Sequence, residues 1–322
     1  MQFLHGTNID FLGKRKTLIY FSLVLNILGI ILPFVLGLKF GIDFTGGTEI
    51  GVELPGKANA TAEIREIVEK GGITGIEIKS FGRDNQYLIR VPTGAYGADA
   101  DVRKSVEERL QKGMPNETVK ILMVNNIGAK VGSELRTAAL LAVVLAIIAI
   151  MLYIAFRFEF TFGVGAAIAI IHDVLVTLAI VTICSKLGLL NLEMNTAMIA
   201  AFLTVIGFSV NDTVIIFDRV RENLEKHKAM NLIQLMNLSI NETLSRTINT
   251  VMTVVLVLLT MSLFGGEGLE GFAFTMLIGI VTGTYSSIYI ASAFVIWYIQ
   301  NVQKKDIEGE YENQKNRIAA KA

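Results

Sequence analysis

Ser209-Val-Asn-Asp212-Thr-Val-Ile-Ile-Phe-Asp218-Arg219 closes a mostly apolar run that begins at Thr196, and it sets Asn211 and Asp212 inside that run. The run is about 20 residues long, enough for a helix to cross some 30 Å of hydrocarbon. A carboxylate inside such a helix costs at least ~2.5–3.5 kcal/mol, so Asp212 marks a functional site by default. The composition agrees with a membrane setting. Of 322 residues, 52% are hydrophobic and 18% charged, and the mean hydropathy is +0.54. Soluble chains carry about a quarter charged residues. Lys plus Arg and Asp plus Glu balance at 29 each, so no basic excess points to nucleic acid. The single cysteine, Cys184, excludes an intramolecular disulfide and is expected as a buried, inert thiol.

Working outward, five more apolar stretches stand beside the 196–217 span. Residues 1–16 are short and polar and end in Lys14-Arg-Lys16; 17–38 then runs without a charge until its end. That run is too long for a signal-peptide core and no small-residue cleavage pattern follows, so a retained anchor is expected. The remaining spans are 137–156, 160–184, 246–264 and 272–299, and 300–322 is a charged tail expected to be disordered. Trp297 and Tyr298 suit an interfacial aromatic belt. Between the fourth and fifth spans, 218–245 is polar with an apolar stripe at Leu232, Leu235 and Met236, which predicts an amphipathic surface helix.

Residues 39–136 are too polar to span. Ile50, Val52 and Leu54 alternate as in a strand, Ile64, Ile67 and Val68 share a helical face, and Ile76 and Ile78 alternate again. Tyr87 to Ile89 continue in a further strand. Val102, Val106 and Leu110 repeat every four residues behind the candidate caps Asp99 and Asp101, and Val119, Ile121 and Met123 end the set. The order βαββαβ predicts a small ferredoxin-like α+β domain. The expected fold is thus a polytopic α-helical membrane protein with six transmembrane helices and one such domain after the first.

Basic residues gather at one set of loops and span ends: Lys14, Arg15, Lys16, Arg157, Arg219, Arg221, Lys226, Lys228, Arg246, Lys304 and Lys305. The opposite short loops offer little beyond Lys186, although Arg136 precedes the second span. Both termini are therefore expected in the cytoplasm and the 39–136 domain outside. At ~1.5 Å rise per residue, Asp212 then lies about 9 Å above Asp218, in the cytoplasmic half.

Arg246, Asn249, Thr250 and Thr253 recur at helical spacing as one polar stripe on the fifth span. Arg246 enters from the same side as Asp212, so the two can approach between the fourth and fifth helices. One reading is a static ion pair that fixes packing. The other is a proton site: desolvation disfavours the charged carboxylate, a guanidinium favours it, and a helix movement that alternates the two loads and releases a proton. His172 and Asp173, mid-way along the third span, either extend that path as a relay or form a hydrogen-bonded pair. Gly279, Gly283 and Ser287, with Thr275, make a small-residue stripe suited to close helix packing. No metal site is expected, since the other histidines, His5 and His227, lie outside the spans.

Four motifs in order, Gly41-Ile-Asp-Phe-Thr-Gly-Gly-Thr48, Val210 to Asn223, Arg246-Thr247 and Gly283-Thr-Tyr-Ser-Ser-Ile288, resemble the SecF family of protein-export membrane subunits, within the SecD/SecF group and the RND superfamily. The resemblance covers essentially the whole chain. It implies pairing with SecD, action with the SecYEG channel on a translocating preprotein in the bacterial or archaeal cytoplasmic membrane, and drive by a proton or sodium gradient with no cofactor. It also carries the family's functional Asp and Arg onto Asp212 and Arg246, and implies that a second essential Asp is supplied by SecD. Asp43, Gly46 and Gly47 fall in its first-loop motif. Gly46 and Gly47 permit unusual backbone angles where a helix becomes a strand, and Asp43 suits a helix-end or interdomain contact.

Other functions remain in view: an RND-like exporter of small lipophilic molecules or ions, or a passive membrane scaffold. An intramembrane aspartyl protease using Asp173 and Asp212 fits poorly, because their flanks are His-Asp and Asn-Asp. No Gly-x4-Gly-Lys-Ser/Thr phosphate loop is present, so ATP hydrolysis is not expected. The chain is read as a transport subunit, not an enzyme.

Overall fold

The structure, a computed structural model, describes residues 7–304 apart from 74, 96–100, 189, 191, 229 and 266. The candidate cap Asp99, His5 and the charged tail from 305 lie outside the described residues.

A short 3₁₀ turn leads into helix α1 (Arg15–Leu36), which Gly37 ends with a positive φ of 77°. A single helical turn, α2 (Ile42–Thr45), then reverses into strand β1 (Gly47–Glu53). Gly46 and Gly47 sit at φ 73° and 140°, and a Cβ on either would come within 2.7 Å of Ala129 Cα or Val91 O. Glycine is required twice over here, by conformation and by space.

The rest of the small domain is α3 (Thr61–Lys70), β2 (Glu77–Phe81), β3 (Arg83–Pro92), α4 (Val102–Gly113) and β4 (Lys120–Ile127). The expected order of strands and helices is the order found. The sheet runs β2-β3-β1-β4 with every neighbour antiparallel, and Ile50 pairs with Ile89 on one side and Val124 on the other. Asp101 caps α4 by accepting from Lys104 N. The domain core is the inner face of β1 and β3 against α3 and α4: Ile50, Val52, Ile64, Val68, Tyr87, Ile89, Val106 and Leu110. Tyr87 keeps its hydroxyl satisfied in that core, accepting from Ala60 N at 2.9 Å and lying 3.0 Å from Asp84 O.

Beyond it come α5 (Ala129–Arg157), α6 (Phe160–Lys186), α7 (Thr196–Lys226), α8 (Leu232–Phe264), and a last span built from α9 (Glu267–Ser286), a π-helical turn (Ser287–Ala291) and α10 (Ser292–Asn301). With α1, six helices are long and apolar enough to cross a membrane. About half of the residues in the apolar stretches of α6, α7 and the last span are buried, whereas few of those in α1, α5 and α8 are. Gly279 and Gly283 bring the last span close to α7: a Cβ would stand 2.3 Å from Val205 and 3.0 Å from Ser209. Cys184 is a half-buried free thiol at the edge of a cluster with Val181 and Leu192.

Several helices run past the expected spans, α9 by starting at Glu267 rather than 272. The 218–245 stretch is not a separate surface helix. Its first part continues α7 to Lys226 and its second begins α8 at Leu232, capped by Asn231, whose side chain accepts from Ile233 N at 2.8 Å. No glycine or proline interrupts 218–245, so only the short 227–231 connection breaks the helices. The expected stripe serves a different purpose: Leu235 and Met236 join Ile216, Phe217, Val220, Ile240 and Leu244 in the main core. Likewise α5 starts at Ala129 rather than 137, because Lys130, Glu134 and Arg136 prolong the helix past its apolar part.

The small domain is fastened to the loop between α6 and α7. Phe40 forms a parallel bridge with Met194, through Met194 N to Lys39 O at 2.8 Å and Gly41 N to Met194 O at 2.9 Å. Glu193, buried in the same loop, pairs with both Lys79 and Arg90 on the sheet, and Arg90 also bonds Glu49 at 2.7 Å.

Candidate functional site

α7 carries Asp212 toward the bundle interior because Val205, Ser209, Asp212 and Ile216 share its buried face. Asp212 is 2% exposed. Its hydrogen-bond partner among the described residues is Thr284 of α9, whose Oγ1 lies 3.5 Å from Oδ2. That hydroxyl has one proton and stands closer, at 3.0 Å, to the carbonyl of Ile280. A donor at 3.5 Å that is already committed elsewhere holds a carboxylate weakly. Arg246 of α8 lies within electrostatic reach of Asp212, but no direct ion pair joins them among the described residues.

Arg246, Asn249 and Thr250 are exposed, as are Thr253 and, on α7, Asn211. The polar stripe expected on the fifth span therefore faces out of this chain rather than into its core. Arg246 also lines a cleft of about 500 Å³ with Tyr153 and Arg157 of α5, Asp218, Arg219 and Glu222 of α7, and Glu242 of α8. Arg219 is held in that cleft by Glu242 at 2.7 Å.

A second polar layer lies beside Asp212. Asp173 and His172 on α6 are each 1% exposed and face one another, Nδ1 to Oδ1, at 3.1 Å. Asp173 Oδ2 accepts from Ser209 Oγ at 2.6 Å and Ser286 Oγ at 2.8 Å. Ser287 pairs with Thr213 at 2.8 Å, so this residue of the small stripe packs through a hydroxyl contact to α7 as well as through its size. Thr284 and Ser286 are site residues that periodicity did not single out. Their signal was the short Gly283 to Ile288 motif, which is rich in hydroxyls for a membrane span.

Asp43 stands apart from this cluster, at the other end of α7. Its Oδ2 accepts from Thr196 N at 2.8 Å and Thr196 Oγ1 at 2.6 Å, at the start of the helix that carries Asp212. Asp43 thus contacts the first residue of α7. Gly46 and Gly47 shape the adjoining turn. Glu193 had no sequence signal, being one acid in a short loop. Among the described residues no group of three or more His, Cys, Asp or Glu is placed to hold a metal.

Residues 106–301 match the family model of the protein export membrane protein SecD/SecF, C-terminal, and residues 31–54 match the SecD/SecF GG motif. The protein translocase subunit SecF of Calditerrivibrio nitroreducens is 39% identical over 303 residues, which are 94% of this chain and 97% of that protein. The chain belongs to the SecF family. Its likeness extends to the SecF of Cereibacter sphaeroides, 41% identical over 90% of both chains. The crystal structure of SecDF from Thermus thermophilus, a translocon-associated membrane protein, superposes with a TM-score of 0.79 at 33% identity over 94% of this chain. SecDF in a super-membrane-facing form superposes with a TM-score of 0.66 at 32% identity. The chain spans 40% of the first SecDF chain and 41% of the second. Membership of the SecF family makes this a membrane-embedded protein translocase subunit.

Proposed function

We propose that this subunit couples the proton-motive force to late-stage preprotein translocation through the SecYEG channel, with Asp212 as the proton-carrying carboxylate and Arg246 as its modulating partner. The observation that carries the proposal is the state of Asp212: buried among spans, held by one long and shared hydrogen bond, and close to an exposed guanidinium. A carboxylate so weakly satisfied gains when it takes up a proton and loses little local bonding when it releases one.

Arg246, Asn211, Asn249 and Thr250 stand exposed at membrane depth, where lipid is a poor neighbour for them. A SecD partner carrying the second carboxylate would cover this face and complete the path. With both termini cytoplasmic and the sheet domain outside, as the charge asymmetry favours, the cleft beside Arg246 opens toward the cytoplasm and suits proton release. Motion of α7 would then reach the sheet domain, which is fastened at that helix's outer end.

The test is Asp212→Asn in the full complex, with translocation measured under an imposed proton gradient and, separately, a sodium gradient. The variant is expected to co-purify with SecD yet lose all gradient-dependent stimulation. Retained stimulation would sink the proposal and leave a scaffold role.

A further inference from the structure

The fully buried Asp173 has no part in the mechanism above, yet three side chains bond to its carboxylate. Two hydroxyls, from α7 and from α9, converge on its Oδ2, and His172 occupies its Oδ1. Ser286 is the last residue of α9 and Ser287 the first of the π-helical turn. Ser286 bonds Asp173, whereas Ser287 bonds Thr213 and reaches the carbonyl of Ser209 at 3.4 Å. Within this turn the carbonyl of Ser287 also accepts from Ser292 Oγ at 3.2 Å. A π-turn within a helix is uncommon and needs neighbours to hold it.

Ser209, on the other side of this clamp, precedes Asp212 by three residues on the same face of α7. Thr284, the neighbour of Asp212, precedes Ser286 by two. The two carboxylates are therefore joined through short stretches of the same two helices.

We infer that Asp173 is a positioning residue for Asp212: through Ser209 and Ser286 it holds α7 in register with the π-turn, and that register sets how Asp212 meets Thr284 and Arg246. The inference rests on Asp212 being the proton carrier. His172 favours a fixed role for Asp173 over a shuttling one. Among the described residues its Nε2 is buried without a hydrogen-bond partner, so a doubly protonated ring would bury an N–H with nothing there to accept it. The arrangement that satisfies the pair is a neutral imidazole donating from Nδ1 to a carboxylate. The titratable and charged groups around this layer are His172 on α6, Tyr285 on α9 with its ring 5.9 Å from that of His172, and Asp212 and Arg246 beyond Ser209. From α1 the contact is Ser22, which shares a hydrogen bond with Tyr285 at 2.9 Å.

A hydrophobic carbodiimide reacts with protonated carboxyl groups inside the bilayer, so labelling of Asp212 against pH, read by mass spectrometry, reports its protonation without any transport assay. The full chain in lipid nanodiscs would be labelled between about pH 5 and pH 9. Asp173→Ala and Ser286→Ala are each expected to move the labelling midpoint by about one pH unit. Asp173→Asn keeps an oxygen acceptor for both serines and is expected to restore at least half of that shift. An unmoved midpoint in the alanine variants overturns the inference, as does an Asn variant as displaced as Ala, which would show charge rather than position at work. Should Asp173→Ala fail to fold, Ser286→Ala carries the test. Wild-type protein with no pH-dependent label on Asp212 would instead overturn Asp212 as carrier, a failure visible before any variant is made.

Discussion

Asp173 and Asp212 are both carboxylates buried in the same bundle, on helices that touch, and they are held in opposite ways. Asp173 takes two hydroxyl bonds of 2.6 and 2.8 Å and a histidine contact. Asp212 takes one of 3.5 Å from a hydroxyl that prefers a backbone carbonyl. Burial by itself therefore does not mark a working group. A saturated carboxylate is pinned by what it would lose on moving or on taking a proton, whereas an under-bonded one has little to lose. Their surroundings differ in the same sense: Asp173 is enclosed by three spans, and Asp212 is next to a cleft and an exposed polar face.

This contrast can be broken by experiment. The largest effect should separate activity from stability. Asp212→Asn is expected to abolish gradient-driven translocation while shifting unfolding by no more than about 1 kcal/mol, because a single weak bond is lost. Asp173→Leu should do the reverse first, lowering stability by about 2 kcal/mol, since Ser209 and His172 are left facing a hydrocarbon chain. Thermal unfolding of both variants in the same nanodiscs checks the pair. Equal destabilisation would erase the distinction.

A smaller effect should come from a carboxylate outside the bundle. Glu193 is buried and pairs with Lys79 and Arg90, but Glu77 and Glu49 remain beside those cations. Glu193→Gln is expected to cost about 1 kcal/mol and to raise hydrogen exchange in β3 and at the start of α7 without unfolding either domain. Unchanged exchange would show that the backbone bridge at Met194 fastens the sheet domain unaided.

The smallest effect is expected at Glu66, an exposed carboxylate held below its ordinary pKa by the hydrogen bond and charge of Lys70. A depressed acid contributes stability above its unfolded pKa and loses it as pH falls through the folded one. Solvent screens this pair, so Glu66→Gln should leave the melting temperature at neutral pH unchanged within error.

Much of this was legible in the residues. Apolar runs located six spans, since about 20 uncharged residues have few other uses. Alternation located the strands of the sheet domain, and one carboxylate in an apolar run located Asp212. The ends of α5, α7 and α8 were not legible, because a polar segment without glycine or proline continues a helix as readily as it ends one. The clamp on Asp173 was only half visible: Ser209 shared a face with Asp212, but Ser286 lies 113 residues from Asp173.

What the sequence by itself determined is which segments enter the membrane and which costly groups go with them, because the transfer energies of side chains and the period of a helix are local quantities. What only the tertiary structure decided is which of two buried carboxylates is saturated, that the polar stripe of α8 faces outward, and that α7 is tied to the sheet domain at Asp43 and Glu193. Those depend on how helices rotate against one another, and no single helix carries that information.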